Sequence, residues 1–487
     1  MQKSGSYTGR LPCQAHKVMP GEQFGERDSR HNRIISPDAS AHSHRPTRWG
    51  VPCRIVLNIY REVLRIPGTL RFSAAGFIAR LPLSIIGLGI VVYISGVTGS
   101  YAVAGLLAAA FQLPAATCAL WTSRLVDRHG QHRVLPILVA IHALGLIAFV
   151  LTVESGLPLV VQAMTVAIAG ASQPAIGAIV RARWAYTIGR LGQASSPLLR
   201  SAFAVESIVD DLIFTIGPLL VATLAVRLSL ASPLVLAAAL TVIGGLLLSA
   251  QRTTEPPASS SLPRASEHHD SAIRLPGLLP VVLAAIGTGF VFGSFEVSAI
   301  AFAVRSGTPA AGGYVLALWA LGSLVGGLWF GSRHWRIRLP TQAMICYLAL
   351  AVVLIPMPFI RSVPALAIAT FISGAAVAPA LISGFSLAER LVPANLLTEG
   401  LTWSNSGLAL GFSAGTALAG IAIDASGTTV AFALPVAGAS IAAMVIAGTR
   451  RRLIASVQPY HEGPPGTPLN ADPIAGPAPG AFRDDAR

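Results

Sequence analysis

"SRLVDRHGQHRVL", residues 123–135, packs Arg124, Asp127, Arg128, His129, His132 and Arg133 into one short turn between two of the most apolar segments of the chain. Crossing a hydrocarbon core of roughly 30 Å takes about 20 mostly apolar residues per helix. The stretches 99–122 and 133–153 on either side of the turn both meet that length. Charge gathered between two such stretches marks a loop where a chain leaves the membrane and turns back. Gly130 permits the bend, because glycine accepts a positive φ.

Working outward, ten more segments have the same character: 70–96, 157–180, 201–226, 230–250, 276–304, 311–331, 341–360, 363–388, 397–423 and 428–449. They are rich in Ala, Leu, Val and Gly and show no alternation of polar and apolar residues, so helices fit and a transmembrane barrel does not. Composition agrees. The 487 residues are 53% hydrophobic and 11% charged, against about 25% charged in a soluble domain. The sequence therefore predicts an all-α integral membrane protein with twelve transmembrane helices.

A net charge of +14 would suit a nucleic-acid partner, but its distribution argues against one. All of the 35 lysines and arginines except Arg80, Arg227, Arg305 and Arg361 fall in the tails and alternate loops that share one side. That asymmetry places both termini in the cytoplasm of a multi-pass cell-membrane protein. The four cysteines (Cys13, Cys53, Cys118 and Cys346) have neither disulfide nor zinc spacing. The first residues are polar, so the apolar run beginning near residue 70 is expected to act as an uncleaved insertion signal.

Five regions follow. Residues 1–66 form a cytoplasmic tail, largely disordered up to about residue 53 and then basic and apolar by turns at 54–68, as a surface-lying segment would be. Residues 67–250 form a first six-helix bundle, and 251–274, rich in Pro, Ser and charge, a cytoplasmic linker. Residues 275–449 form a second six-helix bundle, and 450–487 a Pro/Gly/Ala-rich disordered tail. The halves echo each other: "GFIARLPLS" and "GFVFGSFEVS" are followed about 20 residues later by "SGVTGSYAVAG" and "SGTPAAGGYVLA". Pseudo-symmetric bundles around a central cavity are the architecture expected of a carrier built from repeats.

The opening turn also carries a family resemblance. It resembles the major facilitator signature between spans two and three, G-x-L-x-D-R-x-G-R-R, through Asp127, Arg128, Gly130 and the basic Arg133. Ser123 replaces the first glycine, and Gln131 and His132 stand where basic residues are usual. The resemblance implies a conformational latch made of Arg124, Asp127, Arg128, Gly130 and Arg133. In it, Asp127 meets the start of span eleven when the cytoplasmic side is closed. A helix N-terminus favours a nearby carboxylate by about 0.3–2 kcal/mol, and Asn395 is a candidate cap for that helix. In the second half Trp335 stands where Asp127 would align. "TIGPLL" (215–220) keeps only Gly217 and Pro218 of the drug/proton antiporter signature of span five, enough to kink the helix. The span-four signature with its buried Arg is missing, since no basic residue precedes Arg181.

Ionisable residues inside spans are costly and mark cavities or partners. Glu206 and Asp210 are four apart and share a helical face, with Asp211 beside them. Crowded carboxylates favour holding a proton, the chemistry a proton-coupled carrier needs; an ion pair with Arg80 is the structural alternative. Arg80 lies a third of the way into span one, within reach of snorkelling to the cytoplasm. Glu296 is near the middle of span seven, while Glu399, Trp403 and Asn405 open span eleven. These eight residues form the expected proton and substrate cavity. His142 reads as a satisfied core histidine. Glycines at 407, 411 and 415, at 322 and 326, and at 289 and 293 allow close helix approach, for packing or for sliding between the bundles.

The sequence thus predicts a secondary active transporter moving a small organic solute by alternating access. Proton-coupled efflux by a monomer is the expected mode, and the acidic excess leans towards cationic or neutral solutes. Nutrient or sugar uptake on the same fold is the alternative, and a non-transporting receptor is the reading of another class. With no H-E-x-x-H, no catalytic dyad and no GxxxxGK loop in the sequence, no enzyme, metal site or cofactor is expected.

Overall fold

Twelve helices long and apolar enough to cross a membrane organise the computed structural model, whose described residues are 64–191, 197–258, 272–333, 335–392 and 397–457. Among the described residues every regular element is helical. The expected tail structure, most of the surface-lying segment at 54–68, the middle of the linker and the Asn395 cap lie outside them.

Spans one to six are Thr69–Thr98, Tyr101–His129, Gln131–Glu154, Leu159–Gly189, Ser201–Arg227 and Ser232–Ser249. Spans seven to twelve are Leu278–Arg305, Ala311–Gly331, Leu339–Phe359, Val363–Leu391, Glu399–Ser426 and Thr428–Ser456. With an even number of spans, both ends of the described chain lie on one face, here the termini face; the other is the far face. Large apolar side chains stand exposed around the outside, among them Leu144 (69%), Ile137 (61%) and Met164 (59%). A soluble monomer rarely shows such surface; lipid suits it.

Glycines set the tight turns. Gly99, at φ 71°, ends span one, and Ser100 then caps span two by accepting from Val103 N at 3.2 Å. Gly130, at φ 90°, separates spans two and three as the sequence predicts. Span four departs from expectation. It breaks at 172–175, where Pro174 lacks an N–H, and resumes as Ile176–Gly189. The sequence reading ends the span at residue 180. Its continuation puts Arg181 and the fully buried Arg183 on the helix, so Arg80 is not the lone basic residue of the spans.

The glycine rows also find definite partners. A side chain on Gly289, Gly293, Gly411 or Gly415 would run into a backbone carbonyl of the facing span, because spans seven and eleven touch backbone to backbone. Gly322 and Gly326 seat span eight on span ten in the same way. These contacts lie within the second bundle, which corrects the idea that the rows let the bundles slide. The bundles meet through other small residues. Gly105 of span two faces the Thr416 carbonyl of span eleven, Gly420 faces the Tyr101 carbonyl, and Gly313 of span eight faces the Pro218 carbonyl of span five. All three approaches are in the far half of the membrane.

Candidate functional site

Span one carries the cation around which the first bundle's charges gather. Arg80 is 3% exposed, and its Nε donates to the Gly76 carbonyl at 3.2 Å. Nη1 donates to Asp210 Oδ1 at 2.8 Å and Nη2 to Glu206 Oε2. Arg80 therefore does not snorkel; its head group is spent inside the protein. Glu206, fully buried, also accepts from Ser73 Oγ at 3.1 Å and Trp184 Nε1 at 2.7 Å. Arg181 closes the cluster by donating to Asp210 Oδ2 at 2.6 Å. Two guanidiniums balance two carboxylates, with hydrogen bonds filling the remaining lone pairs. That is the condition under which buried charge is tolerated.

Of the predicted acids outside this cluster, Asp211 and Glu296 stay deep in the spans. Asp211 is half-buried, and its carboxylate has no hydrogen-bonding partner among the described residues. Glu296 sits mid-way along span seven, also half-buried and also without a hydrogen-bonding partner among the described residues. A methyl group placed on Gly87 of span one would lie 3.7 Å from Glu296 Oε1 and 3.9 Å from Phe412 Cζ of span eleven. The acid therefore faces the opposite bundle across a gap that glycine keeps open, with an aromatic edge beside it. Phe292, one turn earlier on span seven, packs its ring 5.0 Å from that of Trp319.

Glu399, Trp403 and Asn405 do not join this centre. Glu399 Oε1 accepts from the Ala272 N–H at 3.1 Å and from Trp403 Nε1 at 3.3 Å, while Asn405 Nδ2 donates to its own helix at Leu401 O, 3.0 Å. Glu399, steadied by Trp403, holds the end of the linker against the first turn of span eleven. Gly217 packs on the side chain of Ser84, whose hydroxyl donates to the Ile213 carbonyl at 2.8 Å. The helix runs unbroken from Pro197 to Arg227 through Pro218. His142 is bonded at one ring nitrogen, Nδ1 to Ala169 O at 2.7 Å, while the buried Nε2 has no hydrogen-bond partner among the described residues. It is half satisfied, not fully.

At the signature turn, Arg124, Asp127, Arg128 and Arg133 are exposed on the termini face, and Arg124 lies over the Trp121 ring at 6.0 Å. The segment 393–396, where Asp127 is expected to meet span eleven, lies outside the described residues. Trp335 of the second half folds back along its own helix end, packing on Trp329 and Phe330 and donating to Phe330 O at 3.1 Å.

The family model described as the Major Facilitator Superfamily matches residues 72–358. The chain belongs to the major facilitator superfamily. It is thereby a multi-pass membrane transporter and not an enzyme. Among solved structures, a mutant of the nucleoside transporter NupG is similar with a TM-score of 0.62 at 12% identity, covering 80% of this chain and 100% of that one. Unmutated NupG gives 0.58 at 14%, covering 80% and 98%. The POT family transporter PepTSo gives 0.62 at 12%, covering 84% and 99%. At these identities the likeness concerns the fold alone. No curated protein matches the sequence.

Against the superfamily signature, the departures at 131 and 132 acquire a reason. Gln131 Oε1 accepts from Arg183 Nε at 2.7 Å, and Arg183 Nη1 donates to Gln251 O at 2.8 Å and Thr254 Oγ1 at 3.1 Å. His132 donates its N–H to Glu255 Oε1 at 3.0 Å, and its Nδ1 lies 2.9 Å from the same oxygen. A basic residue at position 131 would face the buried Arg183. In this superfamily transporter the non-basic pair instead straps the start of the linker onto the turn. Sequence reasoning missed Arg183 and Glu255; the unusual residues at 131 and 132 were the signal that could have found them.

Proposed function

We propose that this transporter exports a small neutral or cationic organic solute from the cytoplasm in exchange for protons. It works as a monomer in the cell membrane, with both termini cytoplasmic. The supporting observation is Glu296, a mid-membrane carboxylate without a hydrogen-bonding partner among the described residues, aimed at Gly87 across the boundary between the bundles. Glu206 and Asp210 are matched by Arg80 and Arg181, so the work of changing charge is assigned to Glu296, with Asp211 second. An unpaired acid inside a membrane is costly unless it does work. Binding a proton or a cationic solute relieves that cost, and the two compete for one carboxylate, which couples their opposite movements. Phe412 and Phe292 supply apolar surface for the body of the solute. The paired cluster keeps Arg80 and span five in register while the bundles rock, and Asp127 latches the cytoplasmic side between cycles. The basic residues of the termini face support the orientation.

Flux into proteoliposomes under an imposed pH gradient tests this reading. The wild type should move solute against its gradient when protons flow the other way, and Glu296→Gln should lose that drive while keeping downhill exchange. Gradient-driven accumulation undiminished in E296Q would reject Glu296 as the coupling group. Uptake, the second reading, would show itself as accumulation in the direction of proton flow.

A further inference from the structure

Spans two and eleven run antiparallel, belong to different bundles and touch backbone to backbone in the far half through Gly105 and Gly420. At the far end of that contact stands a carboxylate the signature does not contain. Asp424, in the last turn of span eleven, accepts from Ser100 Oγ at 2.7 Å, from the Tyr101 N–H at 3.0 Å and from the Ala102 N–H at 2.8 Å. Ser100 is the N-cap of span two, so these are the cap hydroxyl and the first two free N–H groups of that helix. Arg305, at the end of span seven, donates to the neighbouring Ile423 carbonyl at 3.1 Å and adds positive charge to the corner. Charge-assisted bonds of this kind are the strong ones, and here they join residues 322 apart that no shared helix or loop brings together.

The same helix pair carries Asp127 at its other end, in the last turn of span two on the termini face. Each helix thus carries a carboxylate in its last turn or two, and that of span eleven, Asp424, caps the start of span two. We infer that Asp424 is a second latch that holds the far face shut. It is a positioning residue for the transport cycle: opening to the far side requires these three bonds to break, and closing re-forms them. In a cycle that exposes the two faces by turns, Asp424 and Asp127 engage alternately, one at each end of a single helix pair. This inference rests on the alternating-access reading above, and on no particular solute or coupling ion.

The test measures distance across the far face of the full chain. Val97 and Ser426 are exposed on that face in different bundles. Changed to cysteine in a background with the four native cysteines replaced, they take spin labels for electron–electron double resonance in lipid nanodiscs. With Asp424 intact, the short-distance population should dominate. Asp424→Asn should shift the ratio of long to short distances by about twofold to thirtyfold, the range for a carboxylate at a helix start. Ser100→Ala, which removes one bond of the three, should shift it less and in the same direction. Melting temperature and monodispersity are read on each sample. An unchanged distribution in folded D424N overturns the inference; if D424N does not fold, an unchanged distribution in S100A does so instead. Because neither substrate nor gradient is present, a protein that shows the shift but no proton-driven flux would refute the coupled-export reading and leave the latch standing.

Discussion

Arg80 and Glu206, 126 residues apart in the chain, meet as an ion pair that is almost entirely enclosed by protein. Span one supplies the cation, span five the anion, and span four adds Trp184 as a third partner. The aromatic ring that presents this indole N–H is itself held edge-on by Phe72, 4.8 Å away. The first bundle is thus tied across three helices at one point.

Arg80→Met should leave Glu206 buried without its counter-charge, a change that costs about 3–5 kcal/mol when one partner of an enclosed pair is removed. We expect a large fall in the yield of monodisperse protein and in its melting temperature. Arg80→Met combined with Glu206→Met should recover most of that loss, because the stranded charge is gone. Thermal melts followed by size-exclusion fluorescence decide it; a double variant no more stable than the single one would show that the pair is not what Arg80 contributes.

Asp127→Asn should insert and fold normally, since the residue is exposed at the end of span two, yet reduce flux sharply if it latches the cytoplasmic side. Surface expression and solute flux measured in the same cells check both halves of that statement. Wild-type flux from D127N would remove Asp127 from the mechanism.

Glu255→Ala should detach the linker from the signature turn. The carboxylate bonds the His132 N–H in the first turn of span three, and losing such a cap costs about 0.5–2 kcal/mol. The expected result is a modest drop in melting temperature together with faster proteolysis of the linker, measured by limited trypsin digestion at Arg252. Unchanged cleavage would mean that Arg183 alone holds the strap.

Two classes of glycine should respond differently to the same substitution. Gly411→Val forces a side chain into the Ile286 carbonyl inside the second bundle, so folded protein should be lost. Gly105→Val presses on the Thr416 carbonyl between the bundles, where the halves can part. G105V should therefore fold, with flux lost and the far face opened. Size-exclusion profiles and flux on both variants provide the comparison, and equal loss of folded protein in the two would contradict the assignment of contacts.

Much of this was legible in the chain. The spacing of Glu206 and Asp210 put both on one helical face, and both meet Arg80. Gly130 reads as a bend and is one. Span four misled because Arg181 and Arg183 look like the charge of a loop, whereas the helix carries on past them to Gly189. The glycine rows announced close approach but not with what.

By itself, then, the sequence determined the number of spans, the side that carries the charge and the signature turn. These depend on groups near one another along the chain: in a hydrocarbon medium each helix must satisfy its own backbone, so apolar length is enough to define it. Only the tertiary structure decided that Arg80 is consumed by Glu206 and Asp210, that Glu296 faces Gly87 with no hydrogen bond among the described residues, and that Asp424 closes on Ser100. A helical period says which residues share a face. It cannot say which helix that face will meet, because that choice is made by the packing of all twelve at once.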